Sequence, residues 1–251
     1  MAYPDGPAPA LPDRHGGALR VEPARCVEGC AACVSVCPTR AITRGPGQPV
    51  ALDLGRCLFC SACVDVCPTR AITHTGDHRI AVRRRGDLVL GENGEEVRLA
   101  AALDEKLRGM FGRSLRLRQV SAGGCNACEA DTNVLGTIGW DLGRFGIQFV
   151  ASPRHADGLL VTGPVTANMQ LALEKTYAAV PAPKIVIAVG ACAIAGGPFV
   201  DHPQVRNGAA GVVPVDLFIA GCPPHPLTIL DGLLRLLGRL DGERPGGHRE
   251  P

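Results

Sequence analysis

An eleven-residue block occurs twice in this chain, thirty positions apart: CVSVCPTRAIT at residues 33–43 and CVDVCPTRAIT at residues 63–73, with one substitution between the copies. A duplication of this kind requires both copies to fold alike, and each copy carries two cysteines, the second followed by proline. Further cysteines precede each block. The second set, Cys57, Cys60, Cys63 and Cys67, reads C-x2-C-x2-C-x3-C-P, whereas the first, Cys26, Cys30, Cys33 and Cys37, has three residues between its leading pair. The chain holds twelve cysteines, and Cys125, Cys128, Cys192 and Cys222 make up a third four. Residues 1–17 lack the apolar segment of a secretory leader, so a reducing compartment is expected and disulfides are not.

The repeated spacing resembles that of bacterial two-cluster ferredoxins, in which three thiolates on a tight loop meet one 4Fe-4S cluster and the fourth, before proline, serves its neighbour. The resemblance implies that Cys26, Cys30, Cys33 and Cys67 hold one cluster, with Cys57, Cys60, Cys63 and Cys37 holding the other. Small residues such as Ala31, Ala32, Ser61 and Ala62 allow backbone N–H groups to approach the sulfurs. The wider Cys26–Cys30 spacing leaves two readings open: Gly29 absorbs the extra residue, or the first site has altered geometry at Cys26. A zinc ribbon is the alternative, but zinc knuckles pair separated C-x2-C units and need no repeated Cys-Pro.

Beyond residue 112 the pattern becomes short apolar runs alternating with helical segments. Strands are expected at 115–120, 147–150, 158–161, 184–189 and 215–220, and helices at 131–141, 165–179 and 226–240. Such alternation predicts a parallel, three-layer α/β sheet. Asp231, Arg235 and Arg239 recur every four residues and predict a polar stripe on the last helix, whose leucines face the sheet. Cys125, Cys128, Cys192 and Cys222 all follow strand ends, the edge at which open α/β sheets bind ligands.

Five ordered motifs then resemble one family. They are GGCNAC at 123–128, SPRHAD at 152–157, TGPV at 162–165, GACAIAGG at 190–197 and GCPPH at 221–225. Across about residues 111–240 the chain is similar to the small subunit of group 4, energy-converting, formate hydrogenlyase-like NiFe hydrogenases and to the terminal-cluster subunit of complex I. The resemblance implies a flavodoxin-like domain whose four cysteines hold a third 4Fe-4S cluster beside the active site of a separate large subunit. Glu129 and Asp131 are candidates either for favouring a helix N-terminus or for relaying protons. Arg154, His155 and Asp157 are read as interface or loop-tying residues, and His225 as a sulfur hydrogen-bond donor or a loop residue.

The expected organisation is a disordered tail at 1–20, an α+β two-cluster ferredoxin-like domain at 21–82, a linker at 83–112, the flavodoxin-like domain at 113–240 and a disordered tail at 241–251. A short helix over 97–107 and a hairpin turning at Glu92-Asn93-Gly94-Glu95 are expected in the linker. A formal charge of +2 argues against a nucleic-acid partner, and the Arg83-Arg84-Arg85 run reads as a solvated surface. No stretch reaches the roughly 18 apolar residues of a membrane span.

The expected role is an electron relay through three 4Fe-4S clusters, to or from a NiFe large subunit, at the inner face of the cell membrane through partner subunits and fed by an upstream donor. The same relay in a complex I-like quinone oxidoreductase or nickel-less assembly is the alternative. A free ferredoxin-like carrier or iron–sulfur sensor is the third reading; the apolar Phe199 near the last site argues against it.

Overall fold

A computed structural model describes residues 2–45, 48–91 and 96–240. The repeat folds as two copies of one unit. In the first, α1 (Ala32–Val36) is followed by β2 (Ile42–Arg44), and in the second, α2 (Ala62–Asp65) is followed by β4 (Ile72–His74). Antiparallel pairing of β4 with β1 (Leu19–Val21) and of β2 with β3 (Val50–Asp53) closes the unit. Each helix is about one turn long, too short to be stable alone. Burial of Cys33, Ile42, Leu52, Cys63 and Ile72 in a shared core supplies what propensity does not.

The segment expected as a linker is built into both halves. Its strand β5 (Ala81–Val82) runs antiparallel to a strand of the large sheet, and β6 (Val89–Leu90) pairs with β3 of the ferredoxin unit. The helix expected over 97–107 forms instead as α3 (Glu105–Phe111), because the Asp104 side chain accepts the Leu107 N–H at 2.9 Å and fixes the start there. The hairpin at residues 92–95 and the tail at 241–251 lie outside the described residues. Residues 2–20, expected as a tail, pack on the body: Tyr3, Ala18 and Leu19 are buried.

The large sheet contains β7 (Leu115–Ser121), β8 (Ile147–Phe149), β9 (Gly158–Thr162), β10 (Ile185–Val189) and β11 (Leu217–Ile219), all parallel, in the order β5-β11-β10-β9-β7-β8. Apart from β5, that is the 2-1-3-4-5 order of a flavodoxin-like sheet, whose strand order reverses between β7 and β9. Its helices are α4 (Ala127–Val134), α5 (Ala167–Ala179), α6 (Gly190–Ala195) and α7 (Pro226–Leu236). α4 starts four residues before the expected helix over 131–141, directly after Asn126 at φ +72°, and ends at Val134. α6, unforeseen in the sequence, begins directly after the last residue of β10.

Side-chain alternation splits the core between the two faces of the sheet. Leu115, Leu117, Leu160, Ile187, Leu217 and Ile219 pack with the leucines of α7. Leu159, Val161, Val186, Ala188 and Phe218 belong to one continuous core with Leu173 of α5, Ile194 of α6 and Leu52, Leu54 and Leu88 of the ferredoxin unit. The two halves are therefore joined by packed apolar surface. The polar stripe expected on α7 is not solvated: Asp231 is fully buried and Arg235 nearly so, and they form an ion pair at 2.8 Å. α7 lies under the arm at residues 2–18, and Tyr3 Oη donates to Asp231 at 2.7 Å.

Candidate metal centres

The duplicated loops enclose two cysteine-lined cavities. One is lined by Cys26, Cys30, Cys33 and Cys67, the other by Cys37, Cys57, Cys60 and Cys63. Each therefore draws three thiols from one copy and the pre-proline thiol from the other. The pre-proline cysteines are held alike: Cys37 Sγ accepts Ala41 N–H and Cys67 Sγ accepts Ala71 N–H, both at 3.2 Å. Thr39 and Thr69 place their hydroxyls 3.9 Å from the same sulfurs. These threonines were not singled out from the sequence, although both copies of CPTR contain one. Phe59 N–H donates to Cys57 Sγ at 3.3 Å. Donors to sulfur stabilise the charged thiolate, the form that binds iron.

The third four converges at the strand reversal. Cys125 and Cys128 flank the start of α4 beyond β7, Cys192 lies in α6 beyond β10, and Cys222 follows β11. Gly190 sits at φ +90°, and a Cβ there would lie 2.5 Å from Cys128 Sγ. At Gly197 an added Cβ would lie 2.6 Å from Cys192 Sγ. The chain is thus cut back to bare backbone where two thiols turn inward. Gly190→Ala is expected to displace Cys128 and deplete the third site of iron while the far-ultraviolet circular dichroism stays native; full iron content would show that the contact is tolerated.

Burial and mutual repulsion push these thiols up. Cys57 is raised to about 12, chiefly by burial and then by Cys63, Cys37 and Cys60, against the Phe59 N–H that lowers it. Cys63 and Cys192 are each raised to about 11, burial again leading and neighbouring thiols adding to it. Cys128 is pushed up further by burial, then by Cys192, Glu129, Cys222 and Cys125. Four crowded thiolates repel one another unless a cationic core lies between them. The donor sets and the glycine-cleared space fit iron–sulfur clusters, which are ligated by cysteine thiolates.

The accompanying residues take other positions. Glu129 is buried, and its Oε1 accepts from Ser121 Oγ at 2.6 Å and from Thr162 Oγ1 at 2.7 Å. It thereby ties the ends of β7 and β9 together beside Cys128. Ser121 was not foreseen, since nothing in its spacing distinguishes it from other strand-end hydroxyls, and Thr162, which opens the TGPV motif, was given no role of its own. Asp131 is half-buried, which raises its carboxyl. His225 caps α7, its Nδ1 accepting Leu227 N–H at 3.1 Å, with its ring edge-on to Trp140 and His15. Asp157 Oδ2 accepts Arg116 N–H at 2.7 Å and ties the turn before β9 to β7, whereas Arg154 and His155 are exposed.

The second and third sites adjoin. Gly55, two residues before Cys57, packs on α6, where a Cβ on it would lie 2.9 Å from Ile194 Cγ2, two residues beyond Cys192. The first and second cavities are linked in turn by their exchanged cysteines, Cys67 lining the first and Cys37 the second.

Cysteine-lined sites on a ferredoxin unit packed against a flavodoxin-like sheet define an iron–sulfur subunit of an oxidoreductase. Residues 125–236 match the family described as NADH ubiquinone oxidoreductase, 20 Kd subunit, and residues 25–71 match the 4Fe-4S dicluster domain. The chain is 40% identical over 59% of its length to the probable membrane-bound hydrogenase subunit mbhJ of Pyrococcus furiosus, covering 88% of that protein. It is 42% identical over 56% of its length to formate hydrogenlyase subunit 7 of Escherichia coli, of which it covers 55%. With an NADH-quinone oxidoreductase subunit of Rubrobacter xylanophilus it shares 41% identity over 51% of each chain. The chain belongs to the NADH ubiquinone oxidoreductase 20 Kd subunit family, with a dicluster ferredoxin domain ahead of it: an electron-transfer subunit of hydrogenase-like or complex I-like oxidoreductases.

Proposed function

We propose that the chain is a fixed three-cluster relay, with ligand sets Cys26/Cys30/Cys33/Cys67, Cys57/Cys60/Cys63/Cys37 and Cys125/Cys128/Cys192/Cys222 in that spatial order. The observation that supports the order is the packing of the second cysteine loop on α6: a Cβ at Gly55, two residues before Cys57, would lie 2.9 Å from Ile194 Cγ2, two residues beyond Cys192. When bound, each cluster supplies a one-electron carrier. This chain's residues space the carriers, shield them through the shared apolar core, and hold Cys125 and Cys222 at an exposed edge. Phe199, about half exposed, stands near that edge, and an apolar side chain there suits coverage by a large subunit. Glu129 orders the strand ends and has both neighbouring hydroxyls donating to it. It acts in the relay as a structural tie.

The large subunit is a NiFe hydrogenase-like protein, by similarity to subunits named for membrane-bound hydrogenase and formate hydrogenlyase. Similarity of the same order to an NADH-quinone oxidoreductase subunit favours, as the second reading, a quinone-reducing or nickel-less partner. Among the described residues no helix is long and apolar enough to cross a membrane. Membrane attachment through partner subunits is part of the proposal.

Anaerobically purified protein is expected to carry about twelve iron and about twelve acid-labile sulfide per chain. Stoichiometric zinc without sulfide would overturn the relay. Affinity isolation of the native complex, with nickel analysis and a hydrogen-evolution assay, separates the two partners: nickel and hydrogen activity support the first, and their absence supports the second.

A further inference from the structure

The two copies of the repeat differ at the end of their strands. Residue 44, which closes β2, is arginine, and residue 74, thirty positions on at the close of β4, is histidine. Each reaches back to the cysteine loop of its own copy. His74 Nε2 hydrogen-bonds Ser61 Oγ at 2.9 Å, beside Cys60. Arg44 instead spans the lengthened loop: Nη1 donates to Cys30 O at 2.7 Å and Val27 O at 3.0 Å, and lies 3.7 Å from Cys26 Sγ. Its Nε donates to Gln48 O at 3.2 Å, which anchors the side chain to the backbone just ahead of β3. The extra loop residue is accommodated at Gly29, at φ +73° and with open space where a Cβ would sit.

The longer loop presents two carbonyls and a thiol to one guanidinium nitrogen. N–H groups and positive charge directed to the sulfurs of a cluster favour an added electron. Arg44 places an N–H donor and a permanent positive charge at Cys26 Sγ, while its bonds to the Val27 and Cys30 carbonyls hold the loop in place.

We propose that Arg44 is a positioning residue for the first cluster: it braces the lengthened Cys26–Cys30 loop, presents Cys26 as a ligand, and raises the reduction potential of that cluster. This inference rests on the ligand sets proposed above. Cys26 is thereby a normal ligand in an enlarged loop, and the first cluster holds an arriving electron more readily than it would without the guanidinium.

The test is a potentiometric titration of the anaerobic, cluster-loaded full chain, followed by electron paramagnetic resonance, for wild type, Arg44→Lys and Arg44→Gln. One midpoint potential is expected to fall in the order wild type, Lys, Gln while the other two stay in place. Three unmoved midpoints with full iron overturn the proposal, as does an equal shift of all three. If Arg44→Gln loads about four fewer iron atoms, Arg44→Lys carries the potential measurement; a lowered midpoint supports the proposal and an unmoved one overturns it. Absence of dicluster signals from the wild type would instead defeat the ligand sets, a result distinct from either.

Discussion

Cys222→Ser is expected to lower bound iron from about twelve to about eight atoms per chain and to leave the two ferredoxin clusters with wild-type signals. The selectivity follows from the fold. Cys222 stands just beyond β11, on the large sheet, and the other ligands of its site come from segments following β7 and β10. None of the eight ferredoxin cysteines belongs to those segments. A serine hydroxyl at neutral pH is not the soft anionic ligand that a thiolate is, so the three remaining thiols face a core with one open corner. The exposure of Cys222 adds access for water to that corner. Iron and sulfide analysis gives the stoichiometry, and low-temperature paramagnetic resonance shows which signals survive. Loss of ferredoxin signals would mean that thiols are shared between sites otherwise than grouped here. In the assembled complex the same substitution is expected to stop electron delivery while the ferredoxin pair remains reducible, because the third site is the last carrier of the proposed relay before the large subunit.

The cysteine framework was legible because its chemistry demands particular residues at particular spacings. The repeat announced both halves of the ferredoxin unit, and the alternation of apolar runs gave the parallel sheet with strand limits within a few residues. What stayed hidden depended on tertiary contact. Ala81 and Val82 are too few to read as a strand, yet pairing with β11 makes them one. The helix beginning at Gly190 escaped notice because glycine at its first position lowers propensity, while the adjoining Cys128 sulfur requires that glycine. Glu129 is adjacent to a ligand, but only the approach of β7 to β9 brings Ser121 and Thr162 to its carboxylate. Periodicity also misled at Asp231 and Arg235: a charged i, i+4 pair has the same spacing whether solvent or another segment lies over it, and the segment responsible begins at Tyr3, more than two hundred residues earlier in the chain.

Asp231→Ala should therefore be among the most destabilising substitutions in the chain outside the cysteines. Asp231 is fully buried, accepts from Arg235 Nε at 2.8 Å and accepts the Tyr3 hydroxyl at 2.7 Å. Removing one partner of a buried ion pair costs on the order of 3–5 kcal/mol, because the other charge stays in a low-dielectric setting. For a chain of this size that corresponds to a fall of roughly 6–20 °C in Tm. Tyr3→Phe keeps the ring and deletes only the hydroxyl, so its expected cost is about 1 kcal/mol. The double variant should cost little more than Asp231→Ala alone, since the hydroxyl then has no carboxylate to reach. Heat denaturation of the cluster-loaded protein at a fixed scan rate provides the comparison. A surface pair would give a far smaller result, within about 1 kcal/mol and weakened by salt; that outcome would restore the solvated stripe suggested by the sequence. If the buried arrangement holds, the loss is salt-insensitive, and limited proteolysis should find the arm at residues 2–18 cut first in both variants, because Asp231 is the point on α7 to which Tyr3 fastens it.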